Sequence, residues 1–243
     1  MTNQPTLQCI VPARNEAGHL ANLIEDILSV PEISRVVIVE GGSTDNTYQL
    51  ALEIASKNQS RVTCLKQSGK GKFNAVLEGA TRHQTDFTMI WDADGTVPVE
   101  STKKIINESL TTGNFVMGDR LRGEIEPGAM QFANKIGNWV FAILWAPINK
   151  IRPTDIFCGT KVGPTSVFSS THNRLVASDP YGDISLLLSS RLLNIPVSAV
   201  CVSYRARVYG VSNMRRWKMG VIFFKLTLMS YRLCFPRLRD KKS

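Results

Sequence analysis

Four short apolar runs, each stopped by a turn-forming cluster and then by helical spacing, fix most of what this chain can fold into. Leu7-Gln8-Cys9-Ile10-Val11 ends at Pro12, and Glu16 to Leu28 then places Leu20, Leu23, Ile24, Ile27 and Leu28 on one helix face. Val36-Val37-Ile38-Val39 runs into Gly41-Gly42-Ser43-Thr44-Asp45, a turn whose Ser or Thr suits the cap of the next helix. Val62-Thr63-Cys64-Leu65 is a third strand, followed by a loop and helix from Gly69 to Arg82, and Phe87-Thr88-Met89-Ile90-Trp91 is a fourth. Strand and helix alternating in units of roughly thirty residues predict an α/β fold with a parallel sheet and right-handed crossovers. No internal repeat, low-complexity tract or obvious linker breaks the pattern, so one domain with a C-terminal extension is expected.

In such a sheet the strand-to-helix loops share one edge, where open α/β folds bind ligands. That edge gathers Pro12 to Glu16, Glu40 to Asp45, Gly69 to Lys72, and the acidic pair of Asp92-Ala93-Asp94. Two carboxylates one residue apart at a strand end are hard oxygen ligands for Mg²⁺ or Mn²⁺, which take further ligands from a substrate's phosphates. Alone, the tripeptide reads first as a solvated turn, since Gly95 follows it and short acidic motifs are common by chance. With helix N-termini and a lysine beside it, the edge reads as a crevice for a metal–diphosphate complex. None of the loops has the GxGxxG of a dinucleotide fold or the GxxxxGK(S/T) of a P-loop.

Composition narrows the classes. With 43% hydrophobic and 20% charged residues in 243, the chain is an ordinary globular one, large enough for one substantial core. No apolar run reaches the roughly 18–20 residues needed to cross a bilayer. Met1-Thr2-Asn3-Gln4-Pro5 lacks the basic and apolar regions of a signal peptide. The five cysteines are scattered, with no CxxC pair, and there are three histidines, so a zinc site is not expected and a reducing cytosol fits. The net charge of +9 is uneven: residues 205–243 hold eleven Lys or Arg against Asp240 alone, and residues 1–204 are nearly neutral. That stretch reads as a surface for an anionic partner such as lipid headgroups, nucleic acid or a phosphate-bearing substrate.

Four motifs in order then resemble family 2 glycosyltransferases of the GT-A fold. Ile10-Val11-Pro12-Ala13-Arg14-Asn15-Glu16 is similar to their opening VPxxNE, and Val39-Glu40-Gly41-Gly42-Ser43-Thr44-Asp45-Asn46-Thr47 to their VDDGSxDxT. Lys70-Gly71-Lys72 with Ala75 and Gly79 resembles the GKGxA…G segment, and Trp91-Asp92-Ala93-Asp94 the DxD motif. Met117-Gly118-Asp119-Arg120, Asp155 to Val162 through Gly159, and Arg207-Val208-Tyr209-Gly210-Val211-Ser212-Asn213 are similar to VxGxR, DxxxGF and R-x-x-G-x-S elements of the dolichyl- or polyprenyl-phosphate sugar transferase branch. The resemblance covers roughly residues 6–214, read as a GT-A domain of residues 1–214 with a basic amphipathic extension over 215–243. Three positions depart from the pattern: Gly41 replaces the second acid of DDGS, Phe73 the second Gly of GKG, and Thr96 a metal-binding Gln.

The resemblance implies a Rossmann-like, mostly parallel sheet flanked by helices, and a metal-dependent, inverting transfer from a nucleotide-sugar donor to a polyprenyl phosphate. It implies that Pro12, Ala13, Arg14, Glu16, Glu40, Gly42, Ser43, Lys72, Asp92, Ala93 and Asp94 bind the nucleotide sugar. Asp92, Asp94 and Thr96 are the candidate ligands of Mg²⁺ or Mn²⁺, which would neutralise charge on the leaving diphosphate. Arg120, Lys135, Arg207 and Ser212 are candidates for an acceptor phosphate, arginine's bidentate fork suiting phosphate oxygens. Asp94 and Arg207 are thereby expected in catalysis, and so is Asp183. Asp183 falls near the family's general base, and it equally suits a helix N-terminus; a lipid phosphate, already ionised near pH 7, needs no base.

Two further segments point to a lipid surface. Ala129 to Ile148 is apolar and aromatic but interrupted by Asn134, Lys135, Gly137, Asn138 and Pro147; Trp217 to Phe235 is apolar with Lys218, Lys225 and Arg232 set into it. Basic groups around an apolar aromatic body suit an interfacial helix, which the tail's charge favours; the alternative is that one or both helices pack on the sheet or on a second subunit. A cytoplasmic, peripherally membrane-associated enzyme is expected. The competing expectations are transfer to a glycolipid or saccharide hydroxyl with Asp183 as base, and a nucleic-acid- or membrane-binding protein without catalysis. No nucleic-acid partner is expected, because the chain lacks a recognisable reading element.

Overall fold

A computed structural model describes residues 4–151, 154–170, 179–207 and 216–235. The predicted alternation appears as β1 (Leu7–Ala13), α1 (Leu20–Leu28), β2 (Ile33–Glu40), α2 (Thr47–Lys57), β3 (Val62–Lys66), α3 (Lys72–Ala80) and β4 (Phe87–Ile90). Then follow α4 (Val99–Thr112), β5 (Phe115–Asp119), α5 (Phe132–Asn149), β6 (Lys161–Pro164) and α6 (Thr165–Ser169). The described elements end with α7 (Asp183–Leu192), β7 (Val197–Cys201) and α8 (Arg216–Cys234).

The seven strands lie in the order β3-β2-β1-β4-β6-β5-β7. All neighbours are parallel except β6, which runs antiparallel to both β4 and β5. Both faces of the sheet are covered, which is why the strand sequences are almost continuously apolar. The pleat sends alternate residues to opposite layers. Ile10, Val37 and Val39 pack with α3, α5, α7 and α8. Cys9, Val11, Val36 and Ile38 pack with α1, α2 and α4. This is the mostly parallel GT-A-type sheet that the motifs imply.

Two local expectations are corrected. Helix α1 begins at Leu20 and not at Glu16; Glu16 sits in the preceding turn, its carbonyl accepting from the amides of His19 and Leu20. Neither Ser43 nor Thr44 caps α2. Asp45 does the equivalent work, its Oδ1 accepting from the Thr47 amide at 3.0 Å.

Helix α8 packs into the same layer as α5 and α7 and buries Phe223 and Leu226 there. Trp145 Nε1 of α5 donates to Thr227 Oγ1 at 3.0 Å, and the Tyr231 hydroxyl donates to the Leu144 carbonyl at 2.6 Å. The opposite faces of both helices stay open. Phe132, Ile136, Trp139 and Ile143 form an exposed stripe on α5, and Val221, Phe224 and Leu228 one on α8. Among the described residues, no helix is long and apolar enough to cross a membrane.

Candidate active site

A cleft of about 330 Å³ opens at the carboxyl edge of β1, β2 and β4. It is lined by Pro12, Ala13, Arg14, Glu16, Lys72, Asp92, Ala93, Asp94, Thr96, Arg120, Asp183 and Arg207. Most of the candidate site residues, from six separate stretches of the chain, thus meet in one place.

Two loops are tied together to form the cleft's first wall. The Asn15 amide donates to Ser43 Oγ at 3.0 Å, and Asn15 Oδ1 accepts from the Thr44 amide at 2.8 Å. The Glu16 amide donates to Thr47 Oγ1 at 2.9 Å, and that hydroxyl donates to Asp45 Oδ1 at 2.5 Å. Arg14 and Glu16 line the cleft, while Asn15, Ser43, Asp45 and Thr47 brace the backbone of this wall. Glu40 belongs with them: it is 1% exposed, stands outside the cleft lining, and accepts the Ser43 amide at 2.5 Å. Gly42 and Ser43 lie in the same loop, also outside the lining.

The acidic pair is held by cations. Lys72 Nζ forms an ion pair with Asp92 Oδ1. Burial works against Asp92's charge, but Lys72, with Lys161 and Arg120 behind it, holds the carboxyl below its ordinary range. Gly159 faces this pair so closely that a Cβ there would collide with Asp92 Oδ2 and Lys72 Nζ. Asp94 Oδ2 accepts from Arg207 Nη2 at 2.5 Å, and its Oδ1 accepts from Thr96 Oγ1 at 2.9 Å. Thr96 thus orients Asp94.

Glu16 completes the acidic group. Its Oε1 lies 3.8 Å from Arg207 Nη1, and its Oε2 is buried without a hydrogen-bond partner. Burial pushes its pKa from 4.5 up to about 7, against the pull of Arg207, with Asp94 and Asp92 adding repulsion. Among the described residues no three His, Cys, Asp or Glu side chains form a ready-made metal cage. An all-oxygen donor pair beside an orphaned buried carboxylate oxygen nonetheless suits a hard divalent cation whose shell is completed by diphosphate and water.

The other wall carries pairs that sequence reasoning did not pick out. Arg120 grips Asp155 in two places, Nε to Oδ2 at 2.5 Å and Nη2 to Oδ1 at 3.0 Å, and lies 4.9 Å over the Tyr204 ring. Burial opposes its charge, but Asp155, together with Cys158 and Tyr204, raises the guanidinium pKa. Lys161, fully buried in β6, donates to Asp183 Oδ1 at 2.6 Å and to the Cys158 carbonyl. Asp179 accepts from the Gly182 and Ser185 amides at 2.9 Å each, so Asp179 secures the start of α7 while Asp183 turns to the cleft. A lysine inside a four-residue buried strand was the one available signal for Lys161. Lys135 lies on α5 outside the cleft lining, and Ser212 lies outside the described residues.

Residues 8–176 match the family model Glycosyl transferase family 2. The chain belongs to that family. The glycosyltransferase AglJ of Haloferax volcanii is 30% identical over 225 residues, 90% of this chain and 70% of the relative. The UDP-N-acetylglucosamine–dolichyl-phosphate N-acetylglucosaminyltransferase of Methanococcus voltae is 22% identical over 241 residues, 90% and 94% of the two chains. These relatives agree with the polyprenyl-phosphate sugar transferase-like branch. Among solved structures, glucosyl-3-phosphoglycerate synthase from Mycobacterium tuberculosis, with Mn²⁺, UDP and glucosyl-3-phosphoglycerate, superposes with a TM-score of 0.64 at 17% identity, covering 95% of this chain and 80% of that one. The likeness is one of fold. The enzyme is a glycosyltransferase.

Proposed function

We propose that this glycosyltransferase moves a sugar, with inversion, from a cation-bound nucleoside-diphosphate donor to a polyprenyl phosphate, as a peripheral enzyme on the cytoplasmic face of a membrane. The acceptor reading rests on one observation. Phe157 lines the cleft and also stacks on Phe223 of α8 at 4.5 Å, while Phe141 of α5 meets Phe157 edge-on at 5.4 Å. An aromatic path thus leads from the reaction cleft to two helices whose outer stripes are apolar and open. In this reading residues 1–214 are the catalytic domain and 215–243 its membrane-facing extension, with Lys225 and Arg232 exposed toward anionic headgroups.

Asp92 and Asp94 would hold the divalent cation, which when bound would supply Lewis-acid neutralisation of the leaving diphosphate. Lys72 and Arg207 orient those two carboxylates and bring positive charge to the same place. An acceptor phosphate oxygen attacks the sugar's anomeric carbon from the side opposite the donor oxygen. The new C–O bond forms as the old one breaks, and the nucleoside diphosphate leaves with the electron pair. Arg207, with Arg120 fixed by Asp155, supplies guanidinium groups along the acceptor's side. One Asp183 oxygen is already committed to Lys161. A phosphate acceptor, already ionised near pH 7, would not need Asp183 as a base.

The test is transfer of label from a panel of sugar nucleotides into an organic phase, with polyprenyl phosphate, Mg²⁺ or Mn²⁺, and Asp94→Ala as control. Label that disappears with chelator and in the variant supports the reading. Cation-dependent donor hydrolysis without lipid label would keep the donor site and remove the polyprenyl acceptor.

A further inference from the structure

Gly41 leaves the end of β2 without the side chain that the family motif places there, and the neighbouring strand fills the space. A Cβ at position 41 would stand 3.1 Å from Gln67 Oε1, and both residues line the cleft. The register of the sheet carries on past the strand ends to hold Gln67 there. The Gly41 amide donates to the Ala13 carbonyl at 2.9 Å, and the Gln67 amide donates to the Glu40 carbonyl at 2.8 Å.

The polarity of the Gln67 side chain is fixed by a chain of hydrogen bonds. Gln67 Nε2 donates to the Gly71 carbonyl at 2.8 Å and to Asn74 Oδ1 at 2.9 Å. Asn74 in turn bonds the Glu78 carboxylate, which also accepts from Ser68 Oγ at 2.8 Å and the Gly69 amide at 3.1 Å. A carboxylate only accepts, so Asn74 must offer it Nδ2 and turn Oδ1 to Gln67. A backbone carbonyl only accepts, so Gln67 must offer it Nε2. Both amides are thereby oriented by groups that cannot flip. What remains is Oε1, a pure acceptor with open lone pairs, aimed at Gly41 and the cleft.

We infer that Gln67 Oε1 reads the nucleobase of the donor, accepting a ring N–H, and that Gly41 is small so that the base can reach it. The inference rests on the donor-site reading above. The strand order places Gln67 three strand spacings, about 14 Å, from the acidic pair of β4, with the base and diphosphate at opposite ends of the nucleotide. Uracil and guanine present a ring N–H in the middle of their hydrogen-bonding edge. Cytosine and adenine present a bare ring nitrogen there, which would face Oε1 lone pair to lone pair. Gln67 is thus a specificity-determining residue favouring uridine or guanosine diphosphates.

The test is equilibrium binding of UDP, GDP, CDP and ADP to the full chain with Mg²⁺ or Mn²⁺, by calorimetry. The tighter of UDP and GDP is then compared with its ring N-methyl analogue, 3-methyl-UDP or 1-methyl-GDP. Methylation is expected to weaken binding about tenfold or more, the effect of one lost hydrogen bond with an unsatisfied partner. Gln67→Leu should bind the parent and methylated forms alike. Equal binding of the two forms by the unaltered protein, a methylation effect that persists in Gln67→Leu, or a preference for CDP or ADP overturns the inference while leaving the donor site standing. No binding of any nucleoside diphosphate overturns the donor-site reading itself, and the inference with it.

Discussion

The two walls of the cleft are built on different principles. The wall from β1, β2, β3 and β4 is made of strand ends and short loops, and it is fixed by hydrogen bonds between neighbouring loops such as Asn15–Ser43 and Glu16–Thr47. The wall from β5, β6, β7 and α7 is fixed by ion pairs between distant segments, Arg120–Asp155 and Lys161–Asp183, around the one strand that runs antiparallel. The first wall depends on local turn chemistry shared among several neighbouring hydrogen bonds. The second sets charges in the core, where a charge without its partner is expensive. The acidic pair joins them, since Asp94 reaches across to Arg207.

The largest effect is therefore expected at that junction. Asp94→Ala removes a candidate cation ligand and the partner of Arg207 together. Its kcat for sugar transfer should fall on the order of 10³-fold, with the far-ultraviolet spectrum unchanged. Retention of cation-dependent transfer in this variant would remove Asp94 from the machinery and separate the two walls functionally.

Breaking the second wall should cost fold stability first. Lys161→Met leaves Asp183 at the cleft floor without its ammonium, and urea denaturation should register a loss of about 3–5 kcal/mol. Lys161→Met with Asp183→Leu should recover much of that stability and leave transfer impaired. A loss below about 1 kcal/mol for the single change would mean that solvent, and not the ion pair, satisfies Asp183.

The same contrast explains what was legible in the sequence. The first wall could be read because its residues are contiguous: an apolar run, a turn cluster and a helix repeat within a few tens of residues, so the parallel strand–helix alternation and the shared cleft edge followed from periodicity. Side-chain detail could not be read there. Glu40 and Ser43 stand outside the cleft lining with neighbouring amides bonded to them, and Asp45 takes the helix-start role that Ser43 or Thr44 was expected to fill. In the second wall, Lys161 and Asp183 are 22 positions apart and Arg120 and Asp155 are 35 apart, and no local pattern announces either pair. The two apolar helices were recognisable from composition. That they lie against each other through Trp145 and Thr227, 82 positions apart, was not.

Gly159 tests whether the walls can move independently. It comes from the second wall's segment but touches the first wall's Lys72–Asp92 pair. Gly159→Ala would push that pair apart without removing any charge. We expect donor binding and transfer to fall about 10²-fold, as for a displacement of about 1 Å at a reacting centre, with the unfolding midpoint little changed. Wild-type donor affinity in this variant would mean that the Lys72–Asp92 contact rearranges at no cost to binding.

The smallest effect is expected where the molecule is most open. Trp139 is 56% exposed on α5 and Phe224 is 50% exposed on α8. Their burial in a lipid interface would be worth about tenfold each in partitioning. Trp139→Ser with Phe224→Ser should weaken binding to anionic vesicles about 10²-fold, leave donor binding untouched, and slow transfer to a long-chain polyprenyl phosphate more than to a short, water-soluble one. Both helices also help to form the folded core, through Trp145, Phe141 and Phe223, so these outward positions are the ones that separate membrane contact from folding. If vesicle binding is unchanged, the open stripes serve contact with another protein surface. The aromatic path through Phe157 would then end at a partner and not at a bilayer.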